Sequence, residues 1–211
     1  MNKQTLYKIW NQVPVNYYQS GVRKNIFQKL WHTNKINWAK KIMMGRRYTN
    51  CLDVGCASGF MISEISKLNA KAKYFGVDSY PKAIQYAQKK YPHINFRTSQ
   101  ADKLPFKDNF FDLIICYETI EHVVRPLKVL QEMKRVLKKD GTLILAMDSG
   151  NFLFRIIWFV WENTRGRVWQ GAHLHPFHHT ELESTIKKAG FKVQKKFFTH
   201  FNLEVVFLLR K

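Results

Sequence analysis

Acidic residues are missing from the first fifty-two positions; the first is Asp53. Residues 1–50 hold ten Lys and Arg. The whole chain of 211 residues carries 35 Lys and Arg against 15 Asp and Glu, a formal charge of +20. The middle is near ordinary, with fifteen basic and eleven acidic residues in 51–150, and 151–211 returns to ten and four. Two strongly basic ends seek polyanions such as anionic lipid head groups, nucleic acid or phosphorylated substrates. The plainer alternative is a solvated lysine-rich surface. Cysteine is scarce: Cys51, Cys56 and Cys116 form no CxxC pair, which excludes a disulfide framework and a cysteine zinc site. Reduced thiols in a cytosolic setting are expected. Long apolar runs are missing too. The longest, Phe152–Trp161, is broken by Arg155, whereas a membrane span needs about 20 residues. No apolar core follows the N-terminal charges, and Ser20 is the only serine of the first fifty residues, so neither a secretory signal nor a transit peptide is expected. No linker rich in Pro, Gly or Ser divides the chain, and no repeat is visible. A hydrophobic content of 45% with 15% aromatics excludes a disordered chain.

What is present is an alternation of strands and helices from about Tyr48 to Met147. Apolar runs predict strands at Asn50–Val54, Lys73–Val77, Ile94–Arg97, Phe111–Cys116 and Thr142–Met147. Helical spacing predicts Phe60–Leu68, Ala83–Lys90 behind Pro81, and Pro126–Leu137, with a turn at Lys139-Asp140-Gly141. A helix through Leu182 and Ile186 stops at Gly190, and Phe191–Thr199 with Leu203–Leu209 reads as an antiparallel pair. Continuous apolar strands between helices indicate a mostly parallel sheet covered on both faces. Residues 1–47 read as a basic helical segment and 48–211 as one α/β domain, with an aromatic insert at about 151–178.

Between the first strand and the first helix stands Asp53-Val54-Gly55-Cys56-Ala57-Ser58-Gly59. Its glycines permit a tight turn and close approach of a ligand. It is neither the GxGxxG dinucleotide fingerprint nor a GxxxxGK[ST] phosphate loop. It resembles motif I of the class I S-adenosylmethionine (SAM)-dependent methyltransferases. Further motifs agree in order: Val77-Asp78 at the end of strand two, Ser99–Phe106 for G-D-A-E-x-L-P-F, Phe111-Asp112, Ile120-Glu121-His122-Val123 for L-E-H-V, and Lys138–Leu143. The nearest look is the broad type 11 group that includes O-methyltransferases of ubiquinone biosynthesis.

The resemblance implies a Rossmann-like α/β fold, a seven-stranded mostly parallel sheet with one antiparallel edge strand and helices on both faces. It implies SAM as cofactor, with Asp53, Gly55, Ala57 and Gly59 around the methionine part and Asp78 with Ser79 at the ribose. Adenine falls to the segment Gln100-Ala101-Asp102, where Gln100 replaces the family's acid and either Gln100 or Asp102 accepts from the amino group. Tyr117 is expected near the methionine end. Methyl transfer is a displacement at the sulfonium carbon, and an alcohol or phenol acceptor needs a base or a metal to shed its proton. Candidates are Glu121, His122, His173 and His175.

Glu118-Thr119-Ile120-Glu121-His122 also spells E-x-x-E-H, as in metal-using small-RNA 2′-O-methyltransferases and ubiquinone-pathway enzymes. A divalent cation such as Mg held by Glu118, Glu121 and His122 is the less favoured alternative; no metal is the first expectation. The insert Phe152–Trp169 mixes Phe152, Phe154, Trp158, Phe159, Trp161 and Trp169 with Arg155, Arg165 and Arg167. It suits a cover for an apolar acceptor, a contact with an anionic membrane, or core packing against the N-terminal aromatics. The leading expectation is transfer to a small-molecule or lipid-like acceptor, with oxygen as the acceptor atom. The alternatives are an RNA 2′-O-methyltransferase-like enzyme and a non-catalytic protein that keeps the fold.

Overall fold

The computed structural model describes residues 11–164, 166, 167, 175 and 177–211. The strands are β1 (Asn50–Val54), β2 (Lys73–Asp78), β3 (Asn95–Thr98), β4 (Phe111–Tyr117), β5 (Leu137–Asp148), β6 (Lys192–Thr199) and β7 (Glu204–Arg210). The helices are α1 (Tyr17–Lys24), α2 (Ile26–Met43), α3 (Phe60–Ser66), α4 (Pro81–Lys90), α5 (Pro126–Val136), α6 (Phe152–Asn163) and α7 (His179–Lys188). One seven-stranded sheet runs β3-β2-β1-β4-β5-β7-β6. The first five strands are parallel, and β7 runs against both β5 and β6. The antiparallel strand therefore lies one in from the edge that β6 closes. The chain winds outward from β1 to β3, then restarts at β4 on the other side of β1. That reversal opens a crevice beyond the carboxyl ends of β1 and β4, where open α/β sheets take their ligands.

Alternation along the strands divides the core in two. Leu52, Val54, Ile114 and Cys116 face one side, where α5 and α7 bring Leu130, Met133, Leu182 and Ile186. Cys51, Leu113 and Ile115 face the other, where α2, α3 and α4 bring Ala39, Ile62, Ile65 and Ile84. The N-terminal α2 is thus one of the layers that cover the sheet. The insert behaves differently. No residue of α6 is buried, and Phe152 and Phe159 stand 80% and 68% exposed. Core packing against the N-terminal aromatics is therefore not what α6 does; Phe27 is itself 75% exposed.

The turn expected at Lys139-Asp140-Gly141 belongs to β5. Phe111 pairs with Leu137 and Leu113 with Thr142, so residues 138–141 bulge opposite Asp112 alone. Asp112 Oδ2 accepts from the Thr49 and Asn50 amides at 3.0 and 2.8 Å, and Oδ1 from Lys138 Nζ at 2.7 Å. Burial pushes the Asp112 carboxyl up, but the hydrogen bonds from Lys138, Thr49 and the two amides outweigh it and hold it at about 2. Asp112→Ala should cost about 1.5–3 kcal/mol in urea unfolding, the scale of hydrogen bonds to a charged group. Because the folded carboxyl is depressed, the advantage over Asp112→Asn should be present above pH ~4 and fade as pH falls toward 2.

Candidate active site

The loop after β1 turns back through three left-handed residues: Gly55 (φ +78), Ala57 (φ +45) and Gly59 (φ +76). The amides of Gly55 and Cys56 both donate to Val77 O, at 2.8 and 3.0 Å, so the loop is strapped across the end of β2. A Cβ at Gly55 would meet Thr119 Oγ1 at 2.1 Å, so the loop can lie against the residues after β4 only as glycine. Asp78 finishes β2 and accepts from the Ala57 amide at 2.8 Å and the Tyr80 amide at 2.9 Å. It does not cap α4, whose N-cap position is Tyr80.

These elements wall a cavity of about 210 Å³. Gly55, Ala57, Asp78, Ser79, Gln100, Ala101 and Asp102 line one side. Val13, Pro14, Tyr17 and Tyr18 line the other. Gly59 heads α3 just behind the loop. Gln19 clasps the N-terminal wall to the loop: its side-chain amide donates to Ser58 O at 3.3 Å, and its oxygen accepts from Ser58 Oγ at 3.0 Å. Asp102 Oδ2 is engaged by Arg125 through Nε at 3.0 Å and Nη2 at 2.6 Å. A smaller cavity of about 70 Å³ continues past Tyr18, Asp53, Tyr117 and Glu118. Asp53 is 3% exposed, and its Oδ2 and the Tyr117 hydroxyl lack hydrogen-bond partners. Burial, with the neighbouring Asp78, pushes the Asp53 carboxyl up to about 8.

Beside that cavity four buried or largely buried carboxylates gather around Lys35, which reaches in from α2 at 3% exposure. Lys35 pairs with Glu118 and, at 3.5 Å, with Glu204 on β7. Trp31 Nε1 donates to Glu118 Oε1 at 3.2 Å, and the Trp31 ring stacks on His200 at 3.9 Å. Burial raises the Glu118 carboxyl, but Lys35, with His32 and the bonds from Lys35 and Trp31, outweighs it and holds it near 2. Glu121 and Asp148 fare the other way. Burial, then Glu118 and Glu204, push Glu121 up to about 8. Burial, Glu118 and Glu121 push Asp148 far above the usual carboxylate range.

A third cavity of about 240 Å³ lies on the far side of the short turn Ile120–His122. Glu121 and Asp148 line it, with His175, Phe177 and the α6 residues Phe154 and Trp158. Both Glu121 carboxyl oxygens are buried without a hydrogen-bond partner. His175 is brought to Glu121, donating its backbone amide to Glu121 O at 3.0 Å. His122 is not: it lines the cavity that Asp78 and Gln100 wall. His173, Trp169 and Arg165 lie outside the described residues. The E-x-x-E-H grouping does not close on a cation. Glu118 turns to Lys35, Glu121 to one cavity and His122 to the other, and among the described residues no three His, Cys, Asp or Glu side chains converge as ligands.

The family described as methyltransferase domain matches residues 52–145, the stretch that holds the loop, Asp78 and the turn. That stretch is a methyltransferase domain of the type 11 group, and the chain is a SAM-dependent methyltransferase. It is 24% identical over 197 residues to the demethylmenaquinone methyltransferase of Chlorobaculum tepidum, covering 86% of this chain and 81% of that one. With the ubiquinone biosynthesis O-methyltransferase of Cereibacter sphaeroides it shares 28% over 149 residues, 66% of this chain and 58% of the relative. Among solved structures, a SAM-dependent methyltransferase of Thermotoga maritima, described as a possible histamine N-methyltransferase, superposes with a TM-score of 0.71. It is 24% identical and covers 98% of this chain and 99% of that one. A putative methyltransferase of Haloferax volcanii, solved in complex with the Trm112 methyltransferase activator, gives 0.72 at 18% identity, covering 93% and 96%. The non-catalytic alternative is set aside.

Sequence reasoning missed two parts of this methyltransferase. Val13, Pro14, Val15, Tyr17 and Tyr18 wall the cavity that Asp78 lines, and Lys35 anchors them by way of α2. The available signal was the acid-free N-terminus: a lysine buried there must find its carboxylates far along the chain. Lys35→Met should destabilise the methyltransferase by about 3–5 kcal/mol, because Glu118 and Glu204 are left buried without their cation. Lys35→Met with Glu118→Gln should recover part of that loss in a urea-melt double-mutant cycle.

Proposed function

We propose that this methyltransferase transfers the SAM methyl group to the hydroxyl oxygen of an apolar, ring-bearing, lipid-like acceptor of the quinone-precursor class. The observation that carries the reading is Glu121. It is a buried carboxyl with two unpartnered oxygens, facing an aromatic-lined cavity across the turn at 120–122 from the one that Asp78 lines. Relatives named for demethylmenaquinone and ubiquinone biosynthesis support the acceptor class.

The cavity that Asp78 lines and the smaller one past Tyr18 fit SAM. The Asp78 carboxylate has two oxygens, each already holding one amide, with acceptor capacity left for ribose hydroxyls. Ser79 stands beside it. The unpartnered Asp53 Oδ2 suits the ammonium of the methionine part, and Tyr117 shares that smaller cavity. Gly55, Ala57 and Gly59 bend the loop out of the way. Arg125 engages only Oδ2 of Asp102, so Gln100 and Asp102 both keep acceptor capacity for the adenine amino group, with Ala101 lining the same cavity. Bound SAM supplies a methyl group on a positive sulfur, open to displacement by an oxygen nucleophile.

The chain's residues do the rest. Phe154, Trp158 and Phe177 hold the acceptor's apolar body and exclude water. Glu121, in its ionised form, takes the hydroxyl proton as the oxygen attacks. His175 and Asp148 flank it, and His122 borders the side from which the methyl arrives. Lys35 keeps Glu118 ionised, and Glu118 in turn holds the proton affinity of Glu121 high. No step calls on a cation.

Three measurements test this. Asp78→Ala should weaken SAM binding by about 1–3 kcal/mol in calorimetry, the scale of lost charged hydrogen bonds; unchanged affinity in a folded variant removes Asp78. Glu121→Gln should lower kcat and kcat/KM together with little change in SAM affinity. The wild-type rate should rise with pH toward about 8, as the base form of Glu121 appears, and Glu121→Gln should lose that rise. Mass spectrometry of the product, methylated at oxygen or at a ring carbon, decides the acceptor atom. Turnover on RNA but on no quinone precursor would overturn the reading.

A further inference from the structure

Helix α6 is apolar on two sides. Phe154, Trp158 and Trp161 share the inner side by helical spacing, and the first two line the acceptor cavity. The outer side carries Phe152, Leu153, Ile156, Ile157 and Val160, between 45% and 80% exposed, with no charged residue among them, while Phe159 stands at the cavity edge. A twelve-residue helix cannot span a bilayer, and no helix among the described residues is long and apolar enough to do so. Five large apolar side chains on one exposed face exceed the scattered exposure of an ordinary surface.

Two further exposed elements meet α6 at the same rim. The β6–β7 hairpin turns at His200-Phe201-Asn202, all left-handed, and presents Phe201 at 94% exposure. Asn151, which caps α6, donates from its side-chain amide to Asn202 O at 2.6 Å. On the other flank His200 stacks on Trp31, so the tip ties α6 to the start of α2. There Ile26, Phe27 and Leu30 stand 60–75% exposed, interleaved with exposed Lys29 and preceded by exposed Arg23 and Lys24. The hairpin tip lies beyond Asp148, at the carboxyl end of β5, the end on which the cavities open.

We propose that this rim is an interfacial membrane-docking surface, and that its occupant is an anionic lipid bilayer. The outer face of α6, Phe201 and the α2 start enter the interface, while Arg23, Lys24 and Lys29 meet lipid phosphates. Charge complementarity selects that occupant over a second copy of the chain. Residues 11–52 contain no acid, so a second +20 chain would bring like charge to the same place. An apolar face flanked by basic residues is the composition that inserts shallowly into anionic membranes. The inference goes beyond the acceptor assignment and holds whichever acceptor is used.

Co-sedimentation with vesicles tests it, using the full chain at low salt. Equimolar phosphatidylglycerol and phosphatidylcholine vesicles should pellet the protein, and pure phosphatidylcholine vesicles should pellet at least tenfold less. Ile156→Glu with Val160→Glu, which alters the outer face only, should cut the partition at least tenfold while the SAM dissociation constant stays unchanged. Lys24→Gln with Lys29→Gln, with SAM affinity again unchanged, should weaken binding to the anionic vesicles and leave the weak phosphatidylcholine value where it is. Failure of the wild type to pellet with anionic vesicles overturns the proposal, as does unaltered binding by the glutamate variant. Concentration-dependent dimers abolished by the glutamates, or salt-sensitive RNA binding, overturn it when either comes without vesicle binding.

Discussion

One ammonium among four carboxylates organises the catalytic end of this enzyme. Lys35 compensates Glu118 directly and Glu204 at longer range, and Glu121 and Asp148 are left to share a low-dielectric interior with them. Four such groups cannot all ionise beside one cation, so the outer pair retains its protons well above the ordinary range. The arrangement does two things at once. It pins the N-terminal helix to the sheet, and it leaves the carboxyl nearest the acceptor cavity neutral at moderate pH. Such a group costs stability when ionised: the raised folded value of Glu121 means that stability falls as pH climbs from the unfolded value toward about 8. A carboxyl held in this way is in conflict with the fold, a state common among groups at functional sites.

The cofactor crevice follows from topology, but its closure does not. The sheet order places Asp53, Asp78 and Tyr117 at neighbouring strand ends because the winding reverses beside β1. The opposite wall is foreign to that core. It comes from residues 13–18, held by the Gln19–Ser58 clasp at one end and by Lys35 beneath. The crevice is thereby enclosed between a wall set by the sheet and a wall set by a helix that precedes it.

Most strands were legible because fully buried parallel strands are continuous apolar runs: β1 has the expected bounds, and β2 and β4 each run one residue further, to Asp78 and Tyr117. The bulge in β5 was not, since Lys-Asp-Gly reads locally as a turn and only pairing with β4 keeps it in the sheet. The glycine loop and Asp78 were legible as a motif with an acid at the next strand end. The separation of Glu121 from His122 was not. Adjacent residues in a tight 3-10 turn point about 120° apart, by its three residues per turn, so the two side chains enter different cavities. Lys35 was illegible for a different reason: burial of a lysine is decided by partners 83 and 169 residues away.

Those separations carry a consequence for the order in which the enzyme is assembled. The segment that walls the crevice leaves the ribosome long before β7, the strand that carries one of the carboxylates receiving its lysine. Until β7 slots between β5 and β6, Lys35 has no Glu204 to meet and β5 has an unpaired edge. Contacts of such long range form late and slowly. During synthesis the N-terminal wall is therefore held by Ser58 and Glu118 first, and its second carboxylate arrives only when Glu204 has emerged.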